Sequence, residues 1–208
     1  MIISYSRNFI FVHANKCGGT SVNRSLKKEL SGEDIIIGGT RESPQLNKFY
    51  EAEYGIWKHA QARKIKEFVG EKFWEAAFKF SFVRNPYDRV VSNYFYLIKS
   101  RKSNPDHFIH KYPSFDDYVL SDDFKLVSQT DMMLDGDHKK MLDYVGRLES
   151  FNEDFSYVCG RIGVPQVKLG KHNVTKKKDC IDFYSNQEVK DRVIERFIKD
   201  FEKFGYEV

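Results

Sequence analysis

Cysteine is scarce in this chain, with three among 208 residues and no C-x-x-C spacing. An odd number without that spacing gives neither a disulfide framework nor a zinc knuckle, and it fits a reducing compartment. Long apolar runs are missing, so no segment is fit to span a bilayer. A signal-peptide pattern is missing as well, because a core strand begins within about ten residues of Met1. The chain is therefore expected to be complete, soluble and cytoplasmic. No sign of charge dominates: 34 Lys and Arg face 30 Asp and Glu, for a net charge of +4. A solvated mixed surface accounts for that balance. Nucleic-acid binding is disfavoured, because aromatic residues fall at core-periodic positions rather than between basic ones. Metal signatures are also lacking: there is no H-E-x-x-H, no Cys/His cluster and no carboxylate-rich loop suited to Mg²⁺. No internal repeat or low-complexity tract appears.

What the chain does have is apolar and aromatic bulk. Hydrophobic residues make up 41%, with 18 Phe and 12 Tyr, enough to fill the core of one domain over 1–208. Two segments stand out. The first reads FIFVHANKCGGTSVNRSL, from Phe9 to Leu26. An apolar run leads to Lys16 and two glycines, then to Thr20-Ser21, then to Val22, Leu26 and Leu30 at helical spacing. This pattern predicts a buried strand, a tight glycine turn and a helix. Such a turn offers backbone N–H groups and a helix N-terminus to an anion. The second segment reads FKFSFVRNPYDRVVSNYFYL, from Phe78 to Leu97. It predicts strand, turn and helix again, with Arg84 at the strand end and Ser92 inside the helix that Pro86 starts. Two anion-type sites of this kind point to a ligand with two anionic ends.

The spacing argues against a nucleoside-triphosphate loop. A Walker A loop places its Lys after the last Gly. Here Lys16 precedes Gly18 and Gly19, and no Lys separates Gly19 from Thr20-Ser21. The topology is that of a phosphate loop without the ATP signature.

These residues resemble the sulfotransferases that use 3'-phosphoadenosine 5'-phosphosulfate (PAPS), and most of all the carbohydrate group of heparan and chondroitin O-sulfotransferases and their bacterial relatives. That group's first motif is close to [IV]-P-K-[TA]-[GA]-[GS]-T-S, met here by Asn15-Lys16-Cys17-Gly18-Gly19-Thr20-Ser21. Its second, R-N-P-[YW]-D-R-x-x-S-x-Y, is met from Arg84 to Tyr94 without a gap. Weaker matches follow in order: His59-Ala60 with Ile65-Lys66 and Gly70, then Gly146-Arg147-Leu148-Glu149, His172-Asn173 and Phe204-Gly205-Tyr206. Two departures stand out, Asn15 for the usual Pro and Cys17 for Thr or Ala. Neither removes a charge.

The resemblance implies an α/β domain with a P-loop-like three-layer fold, its central sheet mostly parallel with helices on both faces. It implies sulfuryl transfer from PAPS to a hydroxyl of a carbohydrate or glycan, leaving adenosine 3',5'-bisphosphate (PAP). PAPS already carries an activated sulfate, so no metal is required. Lys16 would stabilise the leaving oxygen, as a mobile point charge suits. Cys17, Gly18, Gly19, Thr20 and Ser21 would surround the 5'-phosphosulfate. Arg84 and Ser92 would hold the 3'-phosphate, Arg through its planar fork of donors. Thr175 and Lys176, with His172 and Asn173, would fold over the cofactor. His59 is the candidate general base, since an imidazole titrating near pH 6.5 suits proton removal at neutral pH. His13 reads as a packed residue, Arg89 and Asp88 as a structural pair, and Arg147 with Glu149 as a structural ion pair. Cys17, at a helix N-terminus beside Lys16, reads as an oxidation-prone thiol. Two other readings compete: a P-loop kinase-like phosphotransferase, and a non-catalytic nucleotide-binding protein.

Elsewhere the pattern predicts strands at 9–14, 34–37, 78–83 and 143–148. Helices are expected at 20–30, 59–69, 86–99, 114–120, 151–162 and 187–204. Segment 38–54 reads as an irregular loop, as do 100–113 and the basic stretch 164–182.

Overall fold

The aromatic alternation of strand β4 (Phe78–Val83) organises the sheet. Phe78, Phe80 and Phe82 share one face, as a period of two requires. In the computed structural model, which describes residues 1–38, 44–102, 104–135, 141–166 and 180–208, Phe80 lies centrally. Its ring centroid is 5.9 Å from Phe9 and 5.1 Å from Phe11 of strand β2 (Phe9–Phe11). Helix α8 (Phe151–Arg161) covers this ladder, bringing Phe151 within 4.9 Å of Phe82 and Phe155 within 6.4 Å. Aromatic pairs at such centroid separations add to the burial of their area.

The sheet has five strands among the described residues, in the order β3 (Ile35–Ile36), β1 (Ile2–Ser4), β2, β4, β5 (Tyr144–Arg147). The β2–β4 and β4–β5 pairs are parallel, whereas β1 pairs antiparallel with both β2 and β3. The sheet is therefore mixed rather than mostly parallel. The reason is a hairpin at the start of the chain, whose first strand is only three residues long. Parallel pairing at β2–β4 sets the C-terminal ends of the two strands side by side, with Val12 N–H donating to the Phe80 carbonyl at 2.9 Å.

The chain divides into two units. One comprises Met1–Val83 and Gln129–His172, and holds the whole sheet. Its helices are α1 (Gly19–Leu26), α2 (Pro44–Tyr54), α3 (Ala62–Val69), α4 (Glu71–Ala76), α7 (Gln129–Met133) and α8. Helix α2 lies where an irregular loop was expected. None of its residues is buried, although Leu46, Phe49, Tyr50 and Tyr54 recur at helical spacing along it. Helix α1 stops at Leu26 and a 3-10 turn, Lys27–Glu29, replaces its expected last turn.

The other unit comprises Arg84–Ser128 and Asn173–Val208. It is built from α5 (Pro86–Arg101), α6 (Phe115–Leu120) and α9 (Gln187–Phe204). Helix α9 buries Val189, Val193, Phe197 and Phe201, spaced one turn apart, in a cluster with Val90, Tyr94, Phe115 and Tyr118. Ser114 and Asp117 form a reciprocal capping box that starts α6. Arg89 and Asp200 face each other at 3.7 Å with both side chains fully buried. Ser128 Oγ donates to Asp200 at 2.6 Å, and Arg89 donates to the Val127 carbonyl at 2.6 Å. Arg89 is thus structural, but its partner is Asp200; Asp88 lies 4.0 Å from Arg84 instead.

Candidate functional site

Strand β2 ends in a turn whose backbone is fixed by packing from below. Lys16 adopts a φ of 66°, in the left-handed region. That conformation costs an L residue about 1–2 kcal/mol. Such strain concentrates at functional sites. Gly18, at φ 78°, is the N-cap of α1 and supplies no side-chain cap. A Cβ there would lie 2.7 Å from Phe151 and 2.8 Å from Leu148. A Cβ on Gly19 would lie 2.1 Å from the His13 ring. Both glycines are therefore demanded by close approach of neighbouring side chains, in addition to any ligand.

Thr20 and Ser21 fall inside the first turn of α1, Thr20 half-buried and Ser21 buried. Ser21 N–H donates to the Gly18 carbonyl at 2.8 Å. The remaining first-turn N–H groups have no intrahelical acceptor, as at any helix start. Lys16 is half-buried at the mouth of the turn. Cys17, expected as an oxidation-prone thiol, has its side chain in the core. Its side chain is 1% exposed, and Sγ lies 3.1 Å from Gln129 Oε1 and 3.3 Å from the Asn15 carbonyl, either of which can accept its one proton. With the thiol turned into the core, only the Cys17 backbone faces the turn. Gln129, fully buried at the start of α7, is a partner that no motif announces.

His13 links this turn to the candidate base. Its side chain is 3% exposed and stacks on Phe11 at 5.5 Å. Its ring meets His59 edge-on at 4.7 Å. Its main-chain carbonyl lies 2.7 Å from His59 Nδ1. A carbonyl can only accept, so Nδ1 carries the proton and the neutral His59 ring keeps its lone pair on Nε2. His59 is half-buried, in a turn closed by Ala60 N–H on the Trp57 carbonyl at 3.0 Å, ahead of α3 rather than within a helix. Burial, the adjacent Met1 amino group, His59 and Lys58 together hold His13 well below the ordinary imidazole value. The Met1 amino group lies 3.3 Å from His13 Nδ1 and donates to the Ile37 carbonyl at 3.1 Å. Burial also lowers Lys58, whose stem packs against Gly38. Lys58 and Trp57 flank His59 and carry no motif of their own.

In the other unit, Arg84 follows the last residue of β4 and precedes α5. Asn85 caps that helix by accepting from Tyr87 N–H at 2.9 Å, with Pro86 at its first position. Ser92 sits half-buried two turns along. Thr175 and Lys176, with His172 and Asn173, lie outside the described residues. Among the described residues no group of His, Cys, Asp and Glu is arranged to hold a metal ion, and no helix is long and apolar enough to cross a membrane.

Strand β2, the Lys16 turn, the start of α1 and His59 all lie in the unit that holds the sheet. The family model described as "Sulfotransferase family" matches residues 1–207, and the chain belongs to that family. It is 30% identical over 106 residues to an uncharacterized protein of Archaeoglobus fulgidus, covering 49% of this chain and 81% of that protein. No solved structure matches.

Proposed function

We propose that this chain transfers the sulfuryl group of PAPS to a hydroxyl of a carbohydrate acceptor, on a P-loop-like three-layer version of the sheet, in the cytoplasm. The observation that carries the reading is the orientation of His59. Its Nδ1–H is spent on the His13 carbonyl at 2.7 Å, so Nε2 is the basic atom. The same His13 packs over Gly19 beside the Lys16 turn, which ties base and anion turn into one unit.

The residues fit the donor chemically. First-turn N–H groups of α1, the Thr20 hydroxyl and the Lys16 ammonium form a donor set suited to a phosphosulfate. Arg84 and Ser92 are assigned the 3'-phosphate, with Thr175 and Lys176 as further contacts. His59 Nε2 takes the proton of the acceptor hydroxyl as its oxygen bonds to sulfur. The bond from sulfur to the 5'-phosphate oxygen breaks, and PAP leaves with that electron pair. Lys16 stabilises the charge that gathers on the leaving oxygen, the electrostatic task on which such transfers depend. The chemistry supplied by PAPS is its high-energy sulfate, and the protein supplies position and charge.

Calorimetry with PAP and ATP, followed by a labelled-PAPS screen of glycan acceptors, tests the reading. PAP is expected to bind more tightly than ATP by about 1.5–3 kcal/mol, the value of a charge-assisted contact to the 3'-phosphate. Equal affinity for both would remove the 3'-phosphate assignment.

A further inference from the structure

Trp57 is one of two tryptophans, and the two are placed in opposite ways. Trp74 is 3% exposed, while Trp57 is 44% exposed. Scattered exposed apolar residues are ordinary, but this one is on the turn that carries the base. The Trp57–Ala60 turn is anchored by Ile56 and Ala60, both buried, and presents Trp57 and His59 two residues apart. The indole meets the His59 ring edge-on, with centroids 5.4 Å apart and planes at 84°. His59 thus stands between two rings, His13 on the buried side and Trp57 on the exposed side. Among the described residues the Trp57 indole N–H has no hydrogen-bond partner.

We infer that Trp57 is the platform on which the acceptor sugar docks. An indole face is electron-rich and its edge electron-poor. A pyranose has faces of C–H groups carrying slight positive charge, and these meet the indole face well. Its rim of hydroxyls gives the indole N–H an acceptor. A sugar seated on Trp57 would bring a rim hydroxyl beside the neighbouring imidazole. Aromatic walls with a few placed polar groups are the usual make-up of small-molecule sites. Trp57 would therefore be a docking residue for the acceptor and take no part in the bond-making step. This inference rests on the carbohydrate reading above.

The test uses the intact chain, PAPS and a sulfated glycan acceptor found in the screen. Trp57→Ala is expected to raise the acceptor KM roughly tenfold, the scale of one lost aromatic contact. Turnover and PAP affinity should stay within about twofold of the parent, and Trp57→Tyr should recover most of the KM. Fluorescence gives a readout without turnover. Trp74 is shielded, so acrylamide quenching reports Trp57, and the acceptor should protect it. An acceptor that is sulfated with unchanged KM in Trp57→Ala, and that leaves quenching unchanged, would overturn the docking role alone. A lowered melting temperature with KM unchanged would likewise replace it with a packing role. If PAP binds but no glycan is sulfated, the carbohydrate reading fails and the platform falls with it.

Discussion

At the scale of the residue, Lys16 and His59 are set by different means. Lys16 takes a left-handed backbone, at φ 66°, in a turn whose glycines could not carry a Cβ without displacing Phe151 or His13. His59 is oriented by the hydrogen bond from Nδ1 to the His13 main-chain carbonyl and flanked by two rings. Lys16→Ala should lower kcat roughly 10²–10³-fold, the effect of deleting a donor to a developing charge. PAP affinity should change much less, because PAP lacks the sulfate. Stopped-flow or steady-state assays beside calorimetry would check the split, and near-parental turnover would remove Lys16 from the chemistry. His59→Ala should lower kcat by roughly 10²–10⁴ while keeping the melting temperature and PAP affinity. A variant that melts early yet turns over normally would mark His59 as a packing residue. The charged and glycine positions of the turn were legible in the sequence, because their spacing is local. The inward turn of the Cys17 thiol was not, because Gln129 lies 112 residues away and carries no motif.

At the scale of the element, the junction of β2, the turn and α1 depends on one contact. The His13 ring occupies the space where a Gly19 Cβ would be, at 2.1 Å. Gly19→Ala should therefore cost roughly 1–3 kcal/mol, the usual penalty for overpacking. His13→Ala should cost stability by leaving a cavity. The double variant should be more stable than the sum of the two losses, because each change relieves the other. Urea melts of the four proteins check this, and strict additivity would show that the contact does not limit the turn. Strand β4 at Phe78–Val83 and helix α9 at Gln187–Phe204 match their expected bounds, because their apolar periods are long and regular. Strand β1 is three residues long, too short to show a period, and so the antiparallel half of the sheet was missed. Helix α2 carries Leu46, Phe49, Tyr50 and Tyr54 at helical spacing but buries none of them, and the polar residues between them make the segment read as a loop. His59 was expected inside a helix, and the turn that instead presents it is closed by a single backbone bond.

At the scale of the whole molecule, the buried His13 couples stability to pH. His13 is kept neutral by burial first, and then by the Met1 amino group, His59 and Lys58 around it. Its folded pKa is depressed, so the unfolded chain binds a proton as the pH falls through about 6.5 that the fold refuses. Stability therefore declines as pH drops below about 6.5, until the lowered folded value is reached, and is fully present above it. Asp34 adds a second decline at lower pH. Although burial opposes it, hydrogen bonds from Ser6 and Ser31 hold its carboxyl below the ordinary value, and that stabilisation is lost as it protonates. His13→Gln should flatten the limb below about pH 6.5 and leave the lower one in place. The substitution keeps the main-chain carbonyl that orients His59, so kcat at pH 8 should survive it. Melting curves from pH 8 to 4, paired with turnover at pH 8, separate the two roles. An unchanged acid limb would show that His13 is not the group that resists protonation. Lost turnover at pH 8 in a variant of normal stability would place the His13 ring, and not only its carbonyl, in the chemistry.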